Sequence, residues 1–166
     1  MLLYDINLSI KAMKEPMMMK RILILLGLSF MFFMPTLEAN ESALTYGYDD
    51  KTLKWGPCPA FIGEGCEIAV LHGDPAKRNL DVFFKVPGDF KIPHHWHTSP
   101  ERMILVSGTL KVTYDNHDSE VIKVGMYTYG PAKLPHVAYC EKGDPCVLFI
   151  AFEDPLDAFE VMKEKK

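Results

Sequence analysis

From Cys66 onward, short apolar runs alternate with turn-forming residues. Eight of these runs are rich in β-branched and aromatic residues and predict strands: EIAVLH, LDVFFKV, RMILV, TLKVTYD, EVIKV, MYTY, HVAYC and CVLFIAF. Segments such as GDPAK, VPGDF, DNHDS and EKGDP predict the turns between them. Strands at this spacing, with no convincing helix between them, predict an all-β sandwich or barrel. The C-terminal EDPLDAFEVMKEKK is compatible with one short helix.

The first 39 residues have a different pattern. Basic residues in MMMKR precede ILILLGLSFMFFM, a stretch of 13 almost wholly apolar residues, and PTLEAN follows. This order is typical of a secretory signal peptide, and the apolar stretch is too short to cross a bilayer core of about 30 Å. We therefore predict a signal peptide over 1–39 and one domain over 40–166, with an uncleaved membrane anchor as the alternative. The long polar lead leaves the translation start open among Met1, Met17, Met18 and Met19.

The charge balance argues against a nucleic-acid partner. The whole chain carries a net charge of −4, and residues 40–166 hold 14 basic against 19 acidic side chains. No strongly basic segment is present in that part of the sequence. With the signal removed, the mature chain is expected to be secreted or periplasmic and not stably inserted in a membrane.

All four cysteines lie in the predicted mature chain, and an even number in a secreted protein indicates disulfides. Short spacings favour Cys58 with Cys66 and Cys140 with Cys146. The second pair flanks EKGDP, so its sulfurs would face each other across a hairpin. Buried reduced thiols are the alternative.

Three histidines and a glutamate lie close together in KIPHHWHTSPERMILVSG. On a strand, residues two apart project from the same face about 6.6 to 6.8 Å apart, near enough for two imidazoles to bind one ion. This parity groups His95 with His97 and places His94 and Trp96 on the opposite face. Glu101 follows four residues after His97.

Two blocks of the chain resemble the two signature motifs of the cupin superfamily. The matching positions are Gly88…His95-x-His97-x3-Glu101-x6-Gly108 and Gly125-x5-Pro131-x4-His136. One extra residue separates Gly88 from His95, and Lys133 and Cys140 stand where the second motif usually has glycine and asparagine. The flanking PAFIGEGCEIAVLHGDPAK is similar to a group of small bacterial cupins. The resemblance implies a double-stranded β-helix, or jelly-roll barrel.

By this resemblance, His95, His97, Glu101 and His136 would bind one divalent metal inside the barrel. Imidazole and carboxylate ligands suit iron, manganese, nickel, copper or zinc. Three neutral imidazoles and one carboxylate leave a divalent ion with a single residual positive charge, which favours a small oxygen-rich partner that is anionic or bidentate. A metal that only braces the barrel is the structural alternative. Small cupins commonly pair through sheet faces or edges, so a homodimer is also expected.

The predicted function is that of a metal-binding cupin that acts on a small molecule. Dioxygenase-type oxygen chemistry comes first because redox metals suit this ligand set, and isomerase, lyase or hydrolase chemistry comes second. The alternative is a non-enzymatic module that binds a small ligand or a metal.

Other residues carry weaker signals. Tyr127 and Tyr129 share one face of a short strand and are candidate catalytic acids or hydrogen-bond donors, with core packing as the alternative. His72 and His117 lie near turns and are interpreted as solvated or hydrogen-bonded histidines. Cys140 shares strand parity with His136, so an inward reactive thiol is the alternative to its disulfide.

Overall fold

The computed structural model describes residues 41–162. The predicted signal peptide over 1–39 lies outside the described residues, as do the last four residues of the chain. The chain from Leu44 onward forms one compact unit. Over the described range, no helix has the length and apolar character needed to span a membrane.

The described residues form eleven strands in two antiparallel sheets. All eight predicted strands are present, and the all-β prediction is confirmed. Three further strands complete the fold. The strands are β1 Trp55–Pro57, β2 Glu67–His72, β3 Leu80–Val86, β4 Phe90–Trp96, β5 Glu101–Ser107, β6 Thr109–Tyr114, β7 Glu120–Lys123, β8 Tyr127–Gly130, β9 His136–Cys140, β10 Cys146–Phe152 and β11 Phe159–Glu160.

The two sheets pack face to face as a jelly-roll barrel. One sheet has the order β1-β2-β3-β10-β5-β8 and the other the order β11-β4-β9-β6-β7. Alternate side chains of both sheets fill the space between them, because successive residues of a strand point to opposite faces. Leu80, Leu105 and Ile150 from the first sheet are buried in one cluster with Ile92 and Leu110 from the second.

A β-bulge in β4 sets the direction of the histidine side chains. Ile92 is opposite Ala138 and His95 is opposite His136, so three steps along β4 match two steps along β9. Both Ile92 and His95 are buried, although residues three apart on a regular strand face opposite ways. The bulge thus absorbs the extra residue between Gly88 and His95 and turns His95 into the barrel.

The prediction of a short C-terminal helix is wrong for the residues that the structure describes, because none of residues 41–162 is helical. After β10 the chain runs on to β11, where Phe159 is opposite Trp96 and Glu160 is opposite His95. The Phe159 ring stacks on the Trp96 indole with centroids 4.5 Å apart. Pairing with β4 and this ring contact override the local helical pattern of the sequence.

Both predicted disulfides are present in the structure. Cys58 pairs with Cys66, and Cys140 pairs with Cys146. No free cysteine remains among the described residues, so the inward reactive thiol at Cys140 is excluded. Two disulfides in a chain of this size are typical of proteins in an oxidising compartment.

Candidate metal centre

Three histidine side chains converge at one end of the barrel interior. His95 lies on β4, His97 directly follows that strand, and His136 begins the neighbouring strand β9. One ring nitrogen from each lies within 4.8 Å of the corresponding nitrogens of the other two. Imidazole nitrogens at this separation can bind a single ion.

The backbone determines which nitrogen each histidine presents. Nδ1 of His95 donates to the carbonyl of Pro93 (2.7 Å), that of His97 to Asp157 (2.5 Å), and that of His136 to Leu134 (3.2 Å). A carbonyl only accepts hydrogen bonds, so each Nδ1 carries the proton and each Nε2 keeps its lone pair. Such bonds are the usual support of metal-binding histidines.

Glu101 reaches the same place from the opposite sheet. It begins β5, and its Oε1 and Oε2 lie 3.4 Å from His97 Nε2 and 3.8 Å from His136 Nε2. Its side chain is almost fully buried. His97 Nε2 is also buried and has no hydrogen-bond partner among residues 41–162, although buried polar atoms are nearly always paired. A divalent metal fits this donor set, since it would bind both the buried Glu101 carboxylate and the unpaired His97 Nε2.

Electrostatics favour the ligand form of the histidines. Burial, together with the nearby His97, lowers the pKa of His95 to about 4. Burial and the neighbouring His95 lower the pKa of His136 to about 3. Both imidazoles are therefore neutral at neutral pH. Burial also raises the pKa of Glu101, a cost that a bound cation would offset.

A cavity of about 250 Å³ opens beside the three histidines and Glu101. Apolar side chains from both sheets and from the segments that connect their strands form most of its wall. Small-ligand sites are typically concave and apolar with a few polar groups. The cavity and the histidine cluster together form such a site.

Tyr114 is a cavity residue that the sequence analysis did not identify. It ends β6, opposite His136 in the sheet, and its ring packs on the His136 imidazole with centroids 5.0 Å apart. Burial and the nearby Glu101 carboxylate raise its pKa, an effect that the Thr128 side chain partly opposes. Tyr114 Oη is buried. The Thr128 side chain is close enough to affect its pKa, but no described residue forms a hydrogen bond of normal geometry with it. The alternation Leu110, Val112, Tyr114 in TLKVTYD is the sequence signal for its inward position.

The structure does not bring Tyr127 and Tyr129 to the cavity. Their side chains are 59% and 49% exposed on the outer face of β8, whereas Thr128 between them lines the cavity. In β8 it is therefore Thr128 that faces inward, whereas the catalytic prediction requires Tyr127 and Tyr129 to do so. Aromatic residues on this short edge strand cover the outside of the sheet.

The remaining histidines lie outside the cavity. His94 points away from the cluster, and its Nε2 lies 2.9 Å from Asp115 Oδ1. His72 is exposed at the end of β2. His117 is also exposed, and its Nδ1 donates to the carbonyl of Asp115 (2.8 Å).

Residues 153–158, which we call the C-terminal strap, contribute to the cavity wall. Leu156, Asp157 and Ala158 line the cavity. The Asp157 carboxylate accepts hydrogen bonds from the backbone N–H (2.8 Å) and from the hydroxyl of Thr98, next to His97. The strap thus holds His97 and Thr98, just after β4, in place.

The family model of the cupin domain matches residues 83–152 of the sequence, which include the three histidines, Glu101 and Tyr114. These residues form a cupin domain. No protein among those with curated descriptions matches this cupin significantly.

Solved structures share the fold at low sequence identity. The polyketide cyclase RemF from Streptomyces resistomycificus has a TM-score of 0.62 and 16% identity over 75% of this chain and 89% of its own chain. The DMSP lyase DddQ from Ruegeria pomeroyi has a TM-score of 0.58 and 14% identity over 69% of this chain. The chain spans 64% of the length of that lyase. Oxalate decarboxylase from Bacillus subtilis, which contains Mn(II) centres, has a TM-score of 0.52 and 20% identity over 60% of this chain and 29% of its own chain.

Proposed function

We propose that this cupin is a metal-dependent enzyme acting on a small molecule bound in its cavity. His95, His97 and His136 would bind one divalent transition metal through Nε2, and Glu101 through its carboxylate. The observation that carries the proposal is the convergence of three ring nitrogens within 4.8 Å, each on a histidine whose Nδ1 donates to a backbone carbonyl. Three imidazoles and one carboxylate suit iron, manganese, nickel, copper or zinc.

A bound metal would supply Lewis acidity and, if it is iron, manganese or copper, access to electron transfer. The protein supplies the surroundings. The apolar walls would exclude water from the ligand, and the Glu101 carboxylate would neutralise part of the charge of a bound metal. Tyr114 stays protonated because burial raises its pKa, so it acts as a hydrogen-bond or proton donor beside the centre.

Dioxygenase-type chemistry is the leading reaction class for this site. The ligand set suits redox metals, and the largely apolar cavity provides few protein groups for acid-base steps. A lyase or isomerase is the second candidate, favoured by the protonated Tyr114 next to His136. Oxygen consumption distinguishes the two when iron- or manganese-loaded protein is screened with small carboxylic acids and phenols. Turnover that proceeds equally well without oxygen would favour the second candidate.

A non-enzymatic binding role remains the alternative function. Capture of a small ligand requires the same cavity and metal but no chemical change. Recovery of every bound compound unaltered from metal-loaded protein, in air and under nitrogen, would favour this role.

We also propose that the mature protein is secreted or periplasmic and forms a homodimer. The two disulfides and the apolar stretch before residue 40 support export. Mass spectrometry of protein exported from a bacterial host is expected to find an N-terminus near Asn40. An intact N-terminus in the membrane fraction would contradict export. Light scattering is expected to give about twice the mass of one mature chain.

A further inference from the structure

The polar groups of the cavity are few and carry no positive charge of their own. Within residues 41–162, and apart from the four proposed metal ligands, only Tyr114, Thr128 and Asp157 contribute polar side chains to its lining, and no lysine or arginine does. Asp157 is already engaged, since both of its carboxylate oxygens accept hydrogen bonds from Thr98. A ligand with many hydroxyl groups, or with two separate charges, would leave buried polar atoms unpaired at high cost.

Tyr114 Oη is a polar atom of the cavity that is available to donate a hydrogen bond to a ligand. It is buried, and its ring packs on His136. The Thr128 side chain lies close enough to lower its pKa, but no described residue forms a hydrogen bond of normal geometry with Oη. Gly130 keeps the space around it clear, because a Cβ there would lie 2.8 Å from Oη and 3.2 Å from Glu101 Oε2. The hydroxyl therefore flanks the proposed metal centre and can donate to a ligand atom that also reaches the metal.

We infer that the cavity binds a monocarboxylic acid with a compact apolar body, whose carboxylate meets the metal and accepts a hydrogen bond from Tyr114 Oη. This inference rests on the proposed metal centre. One carboxylate balances the single positive charge that a divalent ion keeps beside Glu101 and three neutral imidazoles. The apolar wall receives the rest of the molecule.

The cavity volume sets the size of the acid. An apolar cavity of about 150 Å³ accommodates benzene. The cavity here measures about 250 Å³, enough for a six-membered ring with a short acid side chain. Phenylacetate has this size and charge and serves as the probe. Citrate tests multiple charges, glucose tests a polyol, and 2-phenylethanol tests the same body without the carboxylate.

The test measures binding by calorimetry on zinc-loaded protein, since zinc has no redox chemistry. Tyr114→Phe removes only the hydroxyl. Tyr139→Phe is the matched control, because Tyr139 donates to Asp89 outside the cavity. We expect zinc content to be equal in the wild type and both variants. Phenylacetate should bind the wild type and the control alike, and bind Tyr114→Phe about tenfold or more weakly. Citrate, glucose and 2-phenylethanol should bind the wild type more weakly than phenylacetate.

Different failures point to different errors. Zinc-loaded protein that binds phenylacetate equally well with and without the Tyr114 hydroxyl would overturn the role of Tyr114. Tighter binding of citrate, glucose or 2-phenylethanol would overturn the ligand class, with the metal centre left standing. Phenylacetate binding that survives chelation would overturn the contact between carboxylate and metal. Wild-type protein that takes up no zinc would refute the proposed metal centre and this inference together.

Discussion

The backbone carbonyl oxygen of Asp157 lies 2.5 Å from Nδ1 of His97, a residue 60 positions earlier in the chain. The same aspartate binds the backbone N–H and the hydroxyl of Thr98 through its carboxylate. One residue of the C-terminal strap therefore fixes both the tautomer of His97 and the path of the chain that follows it. The carbonyl contact depends on the strap staying in place.

Asp157→Ala is expected to weaken metal binding by roughly 10- to 100-fold, as do other losses of support around metal ligands. The change removes the carboxylate that anchors the strap to Thr98, so the carbonyl would no longer be held against His97. Asp154→Ala is the matched control, because Asp154 carries the same charge in the same segment and pairs with the exposed Arg78. Competition with a chelator measures both affinities. Equal affinities in the two variants would show that the strap does not support the centre.

The histidine segment of β4 shows which features can be predicted from the sequence and which cannot. Strand parity within HHWH groups His95 with His97 and excludes His94, which is the arrangement in the structure. The extra residue before His95 is visible in the sequence. The β-bulge that accommodates this residue cannot be predicted from the sequence, because the register of Ile92 and His95 depends on pairing with β9, more than forty residues away.

The tyrosines illustrate the same limit. Parity correctly puts Tyr127 and Tyr129 on one face of a strand, but period-two alternation does not say which face is the inner one. Pairing of β8 along the edge of the first sheet decides it in favour of Thr128. Tyr114 was missed because it belongs to neither motif block and its contact with His136 requires β6 to lie beside β9. The C-terminal strand was missed for a related reason, since only β4 makes it a strand.

Acid is expected to destabilise the metal-free protein through His95 and His136. Burial lowers their pKa values to about 4 and about 3, whereas a histidine of the unfolded chain titrates near 6.5. Between these values the unfolded chain binds more protons than the folded protein. The free energy of unfolding should therefore fall as the pH decreases from about 6.5, and the contribution of these two histidines should level off only below about pH 3.

Urea unfolding of chelator-treated protein at several pH values measures this dependence. His136→Gln removes one of the two buried imidazoles and should flatten the profile, whereas His117→Gln at an exposed site should not. Burial raises the pKa of Glu101, so this residue changes the free energy of unfolding with pH in the opposite direction. Its effect does not alter the comparison, because the wild type and both variants keep Glu101. Identical profiles for the two variants would contradict the burial of a neutral His136.

The Cys58–Cys66 disulfide is expected to hold one wall of the cavity. The loop it closes carries Pro59 and the buried Ile62, which both line the cavity, and Cys58 lines it as well. Replacing both cysteines by serine should cost about 2 to 3 kcal/mol from loop entropy and speed amide exchange at Ile62. The N–H of Ile62 donates to the carbonyl of Pro59 within this loop.

The Cys140–Cys146 pair supplies the control for that experiment. It closes a loop of similar length, with a sequence separation of 6 against 8, and does not line the cavity. Its removal should cost a comparable amount of stability and leave exchange at Ile62 unchanged. Faster exchange at Ile62 in both double variants would mean that the first disulfide has no local role.

Elemental analysis of protein purified from an oxidising compartment tests the metal centre most directly. The wild type and His94→Ala are expected to carry about one equivalent of transition metal, because His94 points away from the cluster toward Asp115. His97→Ala and His136→Ala should lose most of it while keeping the all-β circular dichroism spectrum, since the core comes from apolar side chains of both sheets. Wild-type protein without metal, or equal metal content in the His94 and His97 variants, would contradict the account.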